Sequence, residues 1–189
     1  MKVFPLSAAV LLACLLAGPV DARVRNVTDA DAPRSLATGG PVQGDWTDPA
    51  QFSDIRFSGN RWEAQRGHWV QQLAQHLQTR ATAQLPAGET LQVTFTDIKR
   101  AGQFEPWRGP NLQDTRIVRE IYPPHIELSF KRLDAQGNVI DQGERRLRDS
   151  GFMMGASSVM NSDPLRFEKR MLDDWLRREL RADAALSVR

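Results

Sequence analysis

The chain is poor in the residues from which most catalytic and metal sites are built. Its 189 residues hold one cysteine, Cys14, and three histidines. A lone cysteine excludes an intramolecular disulfide, paired-thiol redox chemistry and a cysteine-rich zinc site. His68 and His76 stand eight residues apart on a predicted helix, about 12 Å along its axis, too far to share one ion. His125 stands alone after Pro124. There is no H-E-x-x-H, no G-x-S-x-G elbow around Ser157 or Ser158, and no phosphate-binding glycine loop. Charge is also muted. Lys and Arg number 25 against 23 Asp and Glu, a net +2, without the one-sided excess of a nucleic-acid binder. No cofactor, no metal and no nucleic-acid partner are expected.

Long apolar runs are absent except at the start. After Met1-Lys2, residues Val3 to Leu16 are apolar apart from Ser7, and Gly18-Pro19 breaks the run. Val20 and Ala22 then occupy the −3 and −1 positions of a cleavage site, so residues 1–22 read as a secretory signal peptide. A membrane anchor is the rival reading, but the run barely reaches spanning length and carries Pro5 and Pro19. Leu11-Leu12-Ala13-Cys14 also resembles a lipoprotein box, which would anchor the protein by a lipid on Cys14. Leu15-Leu16-Ala17 continue the apolar run past the cysteine, where a lipoprotein turns polar. Cleavage after Ala22 removes the only thiol and leaves no expected stable membrane insertion.

Residues 23–41 are rich in Asp, Thr, Pro and Gly and read as a flexible leader. Residues 42–180 read as one domain, and 181–189 as a tail. The spacing of Trp62, Trp69, Leu73, Leu77 and Ala81 predicts a helix over 61–83, weakened at Gly67 and ended by Leu85-Pro86-Ala87-Gly88. Leu91, Val93 and Phe95 alternate with Gln92, Thr94 and Thr96, which predicts a half-buried strand over 91–98. Further strands are predicted over 116–121, 126–133 and 139–147, the last two joined by a hairpin turn at 134–138. Asp163-Pro164 marks a helix start. That helix runs to about Leu180, with Leu165, Leu172, Leu176 and Leu180 inward. Asp173–Arg177 and Asp174–Arg178 are expected as exposed pairs, while Phe167 and Met171 fall on the side away from the leucines. The order predicts an α+β fold: a single antiparallel sheet with an N-terminal and a C-terminal helix packed on one face.

Several short stretches occur together in a fixed order: Leu85-Pro86-Ala87-Gly88, Thr96-Asp97-Ile98, Phe104-Glu105-Pro106-Trp107-Arg108, Ile121-Tyr122-Pro123-Pro124, Arg145 to Asp149, and Asp163 to Lys169, closing at Asp173-Asp174-Trp175. In this combination the chain resembles an uncharacterised secreted family of Gram-negative bacteria, domain of unknown function 3016, over about 42–180. The resemblance implies a periplasmic or envelope location and brings no activity, substrate or catalytic residue.

Two segments are candidates for contact with a partner. Residues 99–115 form a long loop carrying Phe104, Glu105, Trp107 and Arg108. Long loops are often functional, and a Trp beside an Arg is a common recognition pair, although Trp107 could equally fold back as a plug. Met153, Met154 and Met160 lie in an uncharged stretch. Thioethers suit Cu(I), but adjacent methionines on a strand diverge and no His or Cys completes a ligand set. The expectation is that Phe152 to Met154 extend the last strand into the core and that Val159-Met160 tuck under the last helix, with binding as the second choice. The favoured function is therefore a non-catalytic envelope module that binds a protein or cell-envelope polymer. The alternative is a small periplasmic hydrolase using Asp97, Glu105 and His125, which requires those groups to converge.

Overall fold

A computed structural model describes residues 26–37, 39–154 and 162–181. Residues 1–22, read above as a signal peptide and including Cys14, lie outside the described residues, as do Ser157, Ser158, Val159 and Met160. The main sheet has four strands in the order β1-β2-β5-β6. They are β1 (Val42–Trp46), β2 (Thr90–Lys99), β5 (His125–Leu133) and β6 (Val139–Arg148). β2, β5 and β6 pair antiparallel, while β1 joins β2 in parallel. A small separate hairpin pairs β3 (Gln103–Phe104) with β4 (Arg116–Ile117).

Alternation decides which face is covered. Leu91, Val93 and Phe95 of β2 and Ile126, Leu128 and Phe130 of β5 are all buried on one face. A register shift between Phe95 and Asp97 changes the phase of β2, so Ile98 goes in and Asp97 does not. Two long helices cover this face: α3 (Trp69–Thr82) through Leu73, Ala74 and Leu77, and α4 (Arg166–Arg181) through Leu172, Trp175 and Leu176. Sheet and helices share one continuous apolar core. The fold is α+β, with an antiparallel-dominated sheet and helices on one face.

The first helix is not continuous. It divides into α2 (Arg61–Ala64) and α3, because Gly67 adopts φ +85°, open to glycine at little cost. Trp69 goes into the core and its indole Nε1 donates to Ala64 O at 3.0 Å, whereas Trp62, expected on the same stripe, is 68% exposed. The strand predicted over 116–121 is only two residues long. A further short helix, α1 (Ser53–Arg56), follows a 3-10 turn at Pro49–Gln51 that Asp48 caps.

The leader expectation needs correction from residue 26 onward. Val27 is buried and its N–H donates to Gln65 O at 2.8 Å. Leu36 N–H bonds Gly44 O, so this stretch runs along β1 instead of standing off. The methionine expectation is overturned as well. β6 ends at Arg148, Phe152 is fully buried, and Met153 and Met154 point outward, Met154 being 89% exposed. Phe152 covers Phe167 edge-on at 4.8 Å, which explains how Phe167 is buried away from the leucine stripe. On α4 the ion pairs also differ from the expected ones. Asp173 reaches across to His76 and Arg80 of α3, and Asp174 pairs with Arg177.

Candidate functional site

The segment between β2 and β4 is a loop with a locked base. Arg100 precedes it and Arg116 follows it, and both guanidinium groups converge on Asp54 of α1. Asp54 is 1% exposed and accepts from Arg100 Nε at 2.9 Å, Arg116 Nη1 at 3.0 Å and Arg116 Nη2 at 2.8 Å. Arg100 stacks 4.3 Å over the Trp69 ring, and Arg116 4.7 Å over Phe104. Burial pushes the Asp54 carboxyl up, but the two arginines outweigh it and hold the group ionised, below its ordinary value. One buried carboxylate therefore ties both ends of the loop to α1.

α1 is itself placed by Asp97. Its carboxylate accepts from Ser53 N at 2.6 Å and Ser53 Oγ at 2.7 Å, and lies 3.0 Å from His125 Nε2. Burial raises the Asp97 carboxyl, and the hydrogen bonds from His125 and Ser53 more than offset this, leaving it below its ordinary value. Asp97 and His125 are thus brought together, while Glu105 belongs to another network. The Ser53 hydroxyl donates to the carboxylate. It is the imidazole that would have to take this proton in a serine nucleophile.

Glu168, in the first turn of α4, closes the base from behind. It is fully buried, and its Oε1 accepts from Ala101 N at 2.6 Å, while Oε2 has no hydrogen-bond partner among the described residues. Burial pushes this carboxyl above its ordinary value. A group whose pKa rises on folding stabilises the fold fully below its unfolded pKa and loses that contribution as pH rises through the folded value. Glu168→Gln retains the acceptor for Ala101 and removes the ionisation. Urea melts should show wild type losing stability toward alkaline pH relative to Glu168→Gln, with the two converging in acid. Parallel pH profiles for the two proteins would overturn this account of Glu168.

Within the loop the predicted residues divide by role. Phe104 is buried. Glu105 is 1% exposed, accepts from Tyr122 Oη at 2.8 Å and Arg119 Nη1 at 3.3 Å, and pairs with Arg108 Nε at 2.9 Å. The Tyr122 hydroxyl, aided by Arg108 and Arg119, holds the Glu105 carboxyl below its ordinary value despite burial. Trp107, on the 3-10 turn Pro106–Arg108, is 69% exposed. The turn is backed by Gly59, where an added Cβ would sit 2.4 Å from Phe104 O and 2.9 Å from Pro106 Cδ. That close approach sets the 57–60 segment against the loop, and Gln103 Nε2 bonds Phe57 O at 2.9 Å. Phe57, whose carbonyl takes that bond, is exposed, as is Ile121, the residue before Tyr122. Met153 and Met154 are presented separately, on the turn after β6 that Arg170 holds through Asp149 Oδ2 at 2.7 Å and Phe152 O at 2.9 Å.

The sequence reading missed Asp54, Arg100 and Arg116. Asp48-Pro49 repeats the Asp-Pro helix start recognised at 163–164 and was the available sign of structure before α1. Nothing in the local pattern distinguishes Asp54 from a surface acid.

Among the described residues, no three His, Cys, Asp or Glu side chains lie close enough to hold a metal ion, and no helix is long and apolar enough to cross a membrane. Fold and loop together define an α+β module that presents Trp107 from a loop closed at its base by buried ion pairs. The chain belongs to the family described as protein of unknown function (DUF3016), whose model matches residues 40–178. No curated protein matches the chain.

Proposed function

We propose that this is a non-catalytic module of the cell envelope that binds a protein or envelope polymer through the loop bearing Trp107. The observation that carries this reading is the 69% exposure of Trp107 on a loop whose base is fixed by buried ion pairs. A large ring held out by a rigid support contributes contact area with little ordering cost on binding. Arg108 stands beside it, half exposed and oriented by Glu105. Phe57 and Ile121 are further exposed apolar side chains, and Met153 and Met154 add adaptable thioethers. The signal-peptide reading of residues 1–22 supports the periplasm as the compartment, with a lipid on Cys14 as the alternative.

The hydrolase alternative draws on the Asp97–His125 contact, without Glu105. Binding is favoured because the serine hydroxyl beside that contact is committed to the carboxylate.

Trp107→Ala separates the possibilities. Its urea melt should overlay wild type, since the ring is largely in water. Affinity for a partner retained from envelope extract should fall by about 2 kcal/mol or more, roughly thirtyfold. Arg108→Ala should weaken binding in a salt-dependent manner. Undiminished capture by Trp107→Ala would sink the proposal. A hydrolytic activity abolished by His125→Ala would move the assignment to the alternative.

A further inference from the structure

A second concave surface lies away from the Trp107 loop, between the 26–33 segment and the α2–α3 corner. It is a groove of about 1030 Å³, at the upper limit of ligand clefts. Buried Val27, Trp46 and Val70 are among its lining residues and give it an apolar, rigid floor. Trp62 lines it from α2, and the break at Gly67 is the reason this ring is available, since a continuous helix would have placed it on the core stripe with Trp69.

The polar lining is mixed in sign and in hydrogen-bonding sense. Asp29 and Asp31 contribute acceptors, Arg66 contributes donors, and the amides of Asn26 and Gln71 contribute both. Glu63 takes the Arg66 guanidinium at 2.9 and 3.1 Å, so this cation is already neutralised. Asp31 has no partner among the described residues and faces ligand or water. Two carboxylates with a neutralised arginine repel an anionic ligand. The donors and paired-function amides favour one that both gives and accepts hydrogen bonds. An exposed indole face favours one with an apolar side.

From this groove we infer a binding site for a neutral, linear carbohydrate chain. A sugar ring has a C–H face to lie on Trp62 and a rim of hydroxyls that donate to Asp29 and Asp31 and accept from Arg66. A lysine- or arginine-bearing peptide satisfies the carboxylates and the indole face, and its carbonyls accept from Arg66, Asn26 and Gln71. But Asp29 already takes the Asn26 N–H at 3.0 Å, which weakens its hold on a cation, so the sugar is preferred and the cationic peptide is the rival in the test. This site goes beyond the Trp107 surface and does not depend on it.

The test is calorimetric titration of the purified protein with neutral linear tetrasaccharides of glucose, mannose and N-acetylglucosamine, with tri-arginine as the cationic control. At least one tetrasaccharide should bind saturably, and tri-arginine should not compete. Trp62→Ala should weaken that binding about tenfold or more, as loss of a stacking aromatic does, with an unchanged urea melt because the ring is exposed. Asp31→Asn should weaken it less, and Trp107→Ala should leave it unchanged, which keeps this result separate from the fate of the Trp107 reading. Absence of binding by all three sugars, binding that survives Trp62→Ala, or preferential binding of tri-arginine would each overturn the inference.

Discussion

Asp54→Ala should cost about 3–5 kcal/mol of stability, the range observed when one member of a buried ion pair is removed. Three groups set that size. The Asp54 side chain is wholly inaccessible, and its two partners, Arg100 and Arg116, retain only 14% and 18% of their side-chain exposure. Truncation leaves two guanidinium groups facing each other across the vacated position. Arg100 keeps its bond to Ala64 O at 2.8 Å and its stack on Trp69, and Arg116 keeps its stack on Phe104, so neither can swing freely into water. Their mutual repulsion is then unshielded. Because a domain of ordinary size is stable by only about 5–15 kcal/mol, the variant should melt at distinctly lower urea. Acid should act in the same direction on wild type. Asp54 titrates below its ordinary value, so its contribution is present above the unfolded pKa and disappears as pH falls through the folded one. A cost under about 1 kcal/mol would place Asp54 with ordinary surface pairs and remove the basis for calling the loop rigid. The same variant should lose partner binding beyond what its unfolded fraction explains, since it frees both ends of the loop.

Periodic elements were legible because one face of each is buried. The leucines of α4 and the alternation of β2 and β5 could be read directly, since a helix or strand cannot hide its stripe anywhere but the core. The errors fall where a single residue changes phase or direction. Gly67 turns the chain and releases Trp62 from the stripe, and a pattern of apolar spacing cannot register that change of φ. Arg116 and Ile117 pair only with Gln103 and Phe104, because Arg116 is drawn to Asp54 and the chain then leaves the sheet. Met153 and Met154 follow a buried Phe152, but the strand has already ended, so alternation no longer governs which side chain goes in.

The candidate site was legible in its outline and opaque in its support. Composition and loop length singled out Trp107 and Arg108, and their exposure follows from a tight turn with Pro at its first position. Phe104 and Glu105, just ahead of the exposed Trp107, turn inward to hold the loop, a division that no local pattern encodes. The closure itself links α1 to positions 46 and 62 residues away through Asp54. Pairings of that separation follow from topology, and only the sheet order places Arg100 and the hairpin strand against the same short helix.

α4 offers the clearest contrast between a residue that holds the fold and one that decorates it. Leu172 is fully buried between the helices and the sheet. Leu172→Ala deletes its apolar contacts and leaves a cavity that the surrounding Trp175, Leu176 and strand residues cannot close without moving, so the cost should be about 2–5 kcal/mol. The adjacent Asp173 lies on the rim between α3 and α4, 2.9 Å from His76 Nε2 and 3.1 Å from Arg80 Nε, with a quarter of its side chain still exposed. Asp173→Ala removes two interhelical bonds that water can replace, and its cost should stay under about 1 kcal/mol. That the partners are on α3, and not on the next turn of α4, adds a discriminating arm. In a double-mutant cycle Asp173→Ala should couple to Arg80→Ala and not to Arg177→Ala, because Arg177 is held by Asp174. Equal costs for Leu172→Ala and Asp173→Ala would mean that the two faces of α4 are interchanged, and coupling to Arg177 in place of Arg80 would mean that α4 is rotated away from α3.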